Sequence, residues 1–384
     1  MKLLIITDGI HPFVIGGMQK HSFYLAKNLA EQNHDITLVH CVNSLGRIPT
    51  EEELAEQFGT VAMKKITFIG MKFPAASWYP GHYLKESYVY SKQVYDRVKN
   101  LLSSFDFIYA KGFTAWYFIE RKTKGEKLPP IGIKFHGYEM FQPPANFKSR
   151  IHNYLLNGPT KWNNVHADYI FSYGGKITGI IQKLGIAREK IIEIPTGIES
   201  SWCIAQVAPS EGKSLRFAFV GRYERRKGVE ELTASLREIE ATSDFHFDFI
   251  GPIPPSARIK SDKITYHGSI SNKTDIQKIL DKCQILVVPS HSEGMPNVIM
   301  EAMARGLAVI TTDVGAITSV VNDSNGWFVT PGNSSELTLK LNEVIRTERS
   351  LIFAKQQSSL NRIRDFFWDR IASQTASEIA KRLN

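Results

Sequence analysis

The chain has 384 residues, 43% hydrophobic and 22% charged, with a formal net charge of +9. That is enough apolar material for two cores, and no apolar stretch approaches the ~20 residues that span a bilayer. Cys41, Cys203 and Cys283 lie far apart, which excludes a disulfide framework and a cysteine-based zinc site. The opening "MKLLIITDG" is apolar for too few residues to act as a signal peptide, so a reducing cytoplasm is the expected compartment.

The basic excess is uneven. Residues 1–200 hold 24 Lys and Arg against 17 Asp and Glu, so most of the net charge lies in the first half. Such a face suits an anionic substrate, an anionic lipid surface or plain solvent. Nucleic acid is not expected, because no helix-turn-helix, zinc or RNP pattern accompanies the charge.

In chain order, "KLLIITD" (2–8) reads as a buried strand, followed by a Gly-rich loop (9–17) and a helix with apolar residues at 3–4 spacing (18–33). Further strands are expected at 34–40, 65–70, 105–112, 131–137, 167–174 and 190–197. The stretch 199–214 has no clear period, ends in turn residues and reads as a linker. The alternation restarts with a strand at 215–222 and a helix at 227–241, then strands at 245–252, 263–269, 284–290, 307–313 and 325–331. An amphipathic helix (366–383) closes the chain. Alternating strands and helices imply right-handed crossovers and parallel sheets. The fold class is therefore α/β, with two tandem Rossmann-like doubly wound domains facing across a cleft: residues 1–200, joined by the helix at 366–384, and residues 214–365.

Ligands of such sheets bind beyond the carboxyl ends of the strands. This directs attention to Gly16 and Gly17, His136, the stretch from Arg222 to Lys227, Gly268, and residues 290–301. In "SEGMPNVIMEAMARG" (292–306), Pro296 suits the first helical position and Gly306 the end of that helix, with Glu293 in the loop before it and Glu301 inside it. The first-turn N–H groups, such as those of Asn297 and Val298, form an anion site. An ordinary capped helix explains two glutamates equally well. A sugar nucleotide, with hydroxyls on either side of a diphosphate, also satisfies them. In "GRYERRKG" (221–228), Arg222 offers a bidentate fork and Lys227 a point charge for that diphosphate, whereas Arg225 and Arg226 are expected to face solvent. The chain contains no D-x-D, and its histidines show no metal-binding spacing, so Arg222 and Lys227 are expected to replace a metal and no cofactor is expected. Neither first loop spells G-x-G-x-x-G, which disfavours a dehydrogenase.

Together, "GRYERRKG" and "SEGMPNVIMEAMARG" resemble the retaining glycosyltransferases of the GT-B fold in family four, whose E-x₇-E hallmark falls on Glu293 and Glu301. "GGMQKH" (16–21) resembles that family's donor-phosphate loop, "KFHGYE" (134–139) its His-containing strand end, and "FFWDRIA" (366–372) its crossing C-terminal helix. "PTGIE" (195–199) resembles its Pro-Asn-Gly turn, with Thr196 in place of the usual Asn. The resemblance covers nearly the whole chain. It implies that Glu301 binds the ribose and that Glu293 contacts the donor sugar, helped by backbone N–H groups in the stretch 295–297, with Gly294, Met295, Pro296 and Asn297 lining the site. Only non-proline positions can donate there. By the same resemblance, Arg222, Lys227 and Gly17, next to Gly16, hold the diphosphate, His136 lies beside the transferred sugar, and Gly268, Ser269 and Ile270 lie near the nucleobase.

The expected activity is transfer of a sugar from a UDP- or GDP-sugar to a carbohydrate or lipid-linked acceptor, with His136, Glu293, Arg222 and Lys227 as the catalytic set. A non-hydrolysing sugar-nucleotide epimerase, or a protein that binds nucleotide sugars without catalysis, are the alternatives. The aromatic and basic stretch 71–92, with Trp78, Tyr79 and Tyr83, suggests either an acceptor site or peripheral docking on an anionic inner membrane face.

Overall fold

The computed structural model describes residues 1–43, 46–74, 81–142, 147–208 and 214–383, without the side chains of 147–149 and 152. The first series of elements is β1 (Lys2–Ile6), α1 (Gly17–Glu31), β2 (Asp35–Val42), α2 (Glu51–Met63), β3 (Ile66–Lys72), α3 (His82–Val98), β4 (Phe107–Lys111), α4 (Trp116–Thr123), β5 (Ile131–Lys134), α5 (Phe147–His166), β6 (Tyr169–Ser172), α6 (Gly175–Lys183) and β7 (Ile191–Glu193). The second is β8 (Leu215–Val220), α7 (Val229–Ile239), β9 (Phe245–Ile250), β10 (Ile264–Gly268), α8 (Lys273–Leu280), β11 (Ile285–Val288), α9 (Asn297–Ala304), β12 (Ala308–Thr312), β13 (Gly326–Val329), α10 (Ser334–Arg346), α11 (Arg349–Ile363) and α12 (Trp368–Ala380).

The chain forms two units. One comprises Met1–Phe141, Phe147–Gly197 and Trp368–Asn384, and the other comprises Ile198–Phe367 with Gln142. The first holds a seven-stranded sheet in the order β3-β2-β1-β4-β5-β6-β7. The second holds a six-stranded sheet in the order β10-β9-β8-β11-β12-β13. The central pairs, β1 with β2 and β4 and β11 with β8 and β12, all run parallel. Strands covered on both faces read as unbroken apolar runs, and β4 and β12 are buried along their whole length.

Most strands stop short of the apolar runs that announced them, whereas β2 and β3 run on past theirs to Val42 and Lys72. The run 131–137, for example, pairs only over Ile131–Lys134. Residues 135–137 then leave the sheet for a turn in which Tyr138 takes φ +53°. Residues 199–208, expected as part of a linker, pack on the second unit. Trp202 is buried, Arg305 Nη1 donates to its carbonyl at 3.0 Å, and Ile204 N–H donates to Ala304 O at 3.0 Å.

Helix α12 belongs to the first unit. Trp368, Ile371, Ala372, Ala376 and Ile379 join the core built by β1, β2, β4 and α1. Trp368 stacks on Tyr24 with centroids 5.7 Å apart and meets His21 edge-on at 5.1 Å. A Cβ at Gly197 would stand 2.4 Å from the Trp368 ring, so only glycine lets the chain pass there. Among the described residues no helix is long and apolar enough to cross a membrane.

Removing this indole should open a cavity under α1. Trp368→Ala is expected to lower the stability of the first unit by about 3–5 kcal/mol. The check is a urea titration followed by circular dichroism, in which an unchanged midpoint would show that α12 is not part of the core.

Candidate functional site

Each sheet reverses its winding once, between β1 and β4 in the first unit and between β8 and β11 in the second. Diverging loops at such a switch point leave a crevice beyond the strand ends.

In the second unit the loop after β8 carries a short helical turn, Arg225–Lys227, and enters α7 through Gly228 at φ +68°. A Cβ on Gly228 would lie 2.0 Å from Pro289 O, so the loops after β8 and β11 touch through backbone at this point. His291 N–H donates to Arg226 O at 2.8 Å across the same seam.

This contact brings Lys227 to Glu293. Lys227 Nζ donates to Glu293 Oε1 at 2.6 Å, and Ser290 Oγ donates to the same oxygen at 2.8 Å. Arg226 Nη1 lies 3.8 Å from the other oxygen, Oε2. Glu293 is only 5% exposed. A carboxylate so desolvated persists as an ion only when cations and donors replace its water.

The loop is fixed from behind by the end of β12. Thr312 Oγ1 donates to Ser290 O at 2.6 Å, and Ala316 N–H donates to Gly294 O at 2.8 Å. Gly315, at φ +60°, passes so close that a Cβ would meet Glu293 O at 2.2 Å and Gly294 O at 2.5 Å.

Helix α9 starts at Asn297. Pro296 is its N-cap, with extended ψ of 118°, rather than its first residue, and it supplies no side-chain cap. The first-turn N–H groups therefore receive no acceptor from the cap side chain and carry the positive end of the helix dipole. Ile299, Met300, Ala302 and Met303 face the core. Asn297, Val298 and Glu301 share the half-buried face, as i, i+3 and i+4 neighbours do.

The arginines divide otherwise than expected. The Arg222 side chain is 71% exposed and pairs with Glu224 at 3.0 Å. Arg226, expected in solvent, reaches both Glu224 (2.8 Å) and the surroundings of Glu293. Arg225 is bound to Glu231 through two hydrogen bonds of 2.8 and 2.6 Å at the start of α7. Gly268 ends β10, with Ser269 exposed and Ile270 half-buried behind it. Gly251 N–H donates to Gly268 O at 2.8 Å, and a Cβ on Gly251 would fall 1.9 Å from Gly221 O. These contacts set the 268–270 loop beside the loop that carries Arg222.

In the first unit Gly16 is the N-cap of α1 and Gly17 its first residue. His136 follows β5, half-buried, with Nδ1 2.8 Å from Tyr173 Oη. Beneath it lie groups that the sequence reading passed over. Lys111 and Lys134 are the last residues of β4 and β5, and both are buried. Lys111 Nζ is 2.8 Å from His21 Nδ1. Lys134 Nζ donates to Ile194 O at 2.8 Å and stands 3.9 Å from the Tyr173 ring centroid. Burial drives both lysines well below their usual range. Burial, then Lys111 and Lys134, push His136 down to about 3. Burial lifts Asp8, just after β1, to about 6, and its Oδ1 has no hydrogen-bond partner. A signal for the lysines was present, since "FIYAK" and "IGIK" each end an apolar run on a cation. Among the described residues no group of three or more His, Cys, Asp or Glu is placed to hold a metal ion.

The chain was compared with known proteins. The family "Glycosyltransferase Family 4" matches residues 15–202, and "Glycosyl transferases group 1" matches residues 214–347. A curated relative from Campylobacter jejuni, N,N'-diacetylbacillosaminyl-diphospho-undecaprenol alpha-1,3-N-acetylgalactosaminyltransferase, is 24% identical over 79% of this chain and 82% of its own length. The sucrose-phosphate synthase structure from Thermosynechococcus elongatus superposes with a TM-score of 0.76 at 17% identity, covering 99% of this chain and 98% of that one. Anabaena HepE in complex with UDP and glucose superposes with a TM-score of 0.66 at 16% identity, over 99% of this chain and all of that one.

The close passage of Gly315 predicts a specific defect. Gly315→Ala should displace the 293–294 backbone and cost roughly 2 kcal/mol or more, because strain at positive φ adds to the clash. A thermal melt beside Gly125→Ala gives the comparison: that position also has positive φ, but among the described residues nothing lies within 4 Å of the added Cβ. Equal losses in the two variants would show that the contact with Glu293 is immaterial.

Proposed function

The chain belongs to the glycosyltransferases of family four, enzymes of the GT-B fold that move a sugar from a nucleoside diphosphate sugar to an acceptor, and we propose accordingly that the switch point of the second unit is the donor site. Membership also decides against the epimerase and the non-catalytic binder. The observation that carries the assignment is the uncapped start of α9, flanked by the Lys227–Glu293 pair and by Glu301 on the half-buried face.

Breaking the anomeric C–O bond places negative charge on the leaving diphosphate and positive charge on the sugar. Lys227, the N–H groups of Asn297 and Val298, and Arg222 swinging from Glu224 would stabilise the diphosphate. Arg226 is a nearer cation than Arg222 in the resting arrangement and belongs in the same group. Fixed dipoles and cations of this kind are worth ~10²–10³ in rate each. Glu301 would accept hydrogen bonds from the ribose. Glu293 already receives two hydrogen bonds at Oε1, which leaves Oε2 to accept one from a sugar hydroxyl. That pattern supports a binding role for Glu293 and speaks against a nucleophile. Retention would then follow the front-face route, in which the leaving phosphate takes the acceptor's proton. His136 is assigned to the transferred sugar, with Gly16 and Gly17 as the backbone approach to the phosphates and residues 268–270 at the base. Uridine is favoured over guanosine because HepE, a neighbour in fold, is described with UDP.

Lys227→Ala is expected to lower turnover more than ~100-fold. It should also lower the melting temperature, because it strips buried Glu293 of its cation, so the rate is read well below the variant's own melt. Wild-type turnover should persist in excess EDTA. Near-normal rates in the variant, or loss in EDTA with recovery on adding magnesium, would remove the proposal that side-chain cations alone neutralise the leaving group.

The first unit would receive the acceptor, and a lipid-linked one is favoured. The Campylobacter relative is named for a diphospho-undecaprenol acceptor. Trp78 and Tyr79 lie outside the described residues, but helix α5 offers a comparable face, with Tyr154 81% exposed, Ile151 half exposed, and Arg150 and Lys161 exposed around them. Apolar side chains ringed by cations suit the surface of an anionic cytoplasmic leaflet, where each cation adds ~1 kcal/mol. At low salt the protein should sediment with anionic liposomes and stay in solution with neutral ones, and Ile151→Ser with Tyr154→Ser should weaken recovery in the pellet. Equal recovery in the supernatant with both lipids would point to a soluble acceptor.

A further inference from the structure

Tyr173 lies just after β6, and its hydroxyl meets the one ring assigned to the transferred sugar. Its position is set from three sides. Its oxygen is 2.8 Å from His136 Nδ1, and the two rings meet edge-on, with centroids 5.4 Å apart and planes at 86°. The His21 ring lies edge-on to it at 6.0 Å. Lys134 Nζ sits 3.9 Å from its ring centroid, held there by the bond to Ile194 O. Tyr173 and Lys134 are both buried, so neither group has water to exchange this arrangement for.

A neutral imidazole has one donor and one acceptor nitrogen, and the partner of one nitrogen decides the role of the other. A phenol can play either part towards Nδ1. Lys134 Nζ, 3.9 Å from the ring centroid, sets a nitrogen donor against the π face, which draws electron density from the phenol oxygen and makes its O–H a stronger donor and its oxygen a weaker acceptor. Burial, then the neighbouring Lys111 and Lys134, hold the proton affinity of His136 low and keep the imidazole neutral at working pH. No third protonation state therefore competes.

We propose that Tyr173 is a positioning residue: it donates to Nδ1 of His136, and so fixes the tautomer in which Nε2–H is the hydrogen-bond donor offered to the transferred sugar. In that form His136 binds a sugar oxygen and cannot accept the acceptor's proton at Nε2. Lys134 beneath the phenol is part of the same device. The inference rests on the assignment of His136 to the sugar.

Nitrogen-15 spectra of histidine-labelled protein test it, with the His136 signals identified by their loss in His136→Gln. The wild type should show an unprotonated Nδ1 and a protonated Nε2, unchanged between about pH 5 and 9. Tyr173→Phe should give signals averaged between the two tautomers. Its kcat should fall about tenfold, the factor that one ordinary hydrogen bond supplies, with the donor KM within about twofold of wild type. A protonated Nδ1 in the wild type overturns the proposal. So does a Tyr173→Phe enzyme that keeps both tautomer and kcat. Because the wild-type spectrum alone reads the tautomer, a variant that fails to fold does not remove the test. A fixed tautomer together with full turnover in His136→Ala would instead remove the assignment of His136 to the sugar, and the positioning role with it.

Discussion

The geometry of the loops after β8 and β11 follows from a single buried charge. Glu293 has almost no contact with water, and an ion taken out of water costs several kcal/mol unless other groups solvate it. Lys227 and Ser290 do so at one oxygen. Because Lys227 comes from the loop after β8 and Ser290 from the loop after β11, their shared partner ties together the two loops that diverge at the switch point. The backbone contact of Gly228 with Pro289 and the passage of Gly315 behind Glu293 leave that tie no slack. A diphosphate bound there, as proposed, would meet a lysine whose direction is already fixed, so little ordering of its side chain would be left to binding.

The first unit handles charge in the opposite way. Lys111 and Lys134 are buried beside a histidine and an aromatic ring and are joined by no carboxylate at hydrogen-bonding distance, with Asp8 acting on Lys111 only through its field. Desolvation then moves proton affinities where pairing would have held them. Lysines lose protons more readily, Asp8 retains one to about 6, and His136 stays neutral. A lining of buried polar groups suits hydroxyl-rich ligands, whereas the positive end of α9 suits phosphates.

The sheets were legible because a strand covered on both faces must be apolar throughout, and runs such as "ILVV" at β11 permit little else. Glu293 and Glu301 stood out because a loop and an adjacent helix mouth lie close in sequence. The arginines were not separable in this way. Arg222 and Arg226 are four residues apart in one loop, and only the turn at 225–227 decides which of them points at Glu293. Helix α5 runs through Pro159, where a local rule predicts a break. Lys111, Lys134 and Tyr173 come from three separate strands or strand ends, and their meeting depends on the order β4-β5-β6, which no local pattern encodes. The residues 199–208 lacked periodicity because they are held by single contacts, such as Trp202 O to Arg305, rather than by a regular face.

The return of α12 to the first unit has a consequence for biosynthesis. The second unit is nearly contiguous and can complete its core once Phe367 has emerged from the ribosome. The first unit begins earlier but waits for the last residues of the chain, because Trp368 and Ile371 fill its core from α12. Throughout synthesis of the middle of the chain, α1 exposes the surface that Trp368 later covers. The order in which the units mature is therefore the reverse of the order in which they are translated, and the nascent first unit is the form that needs protection from aggregation.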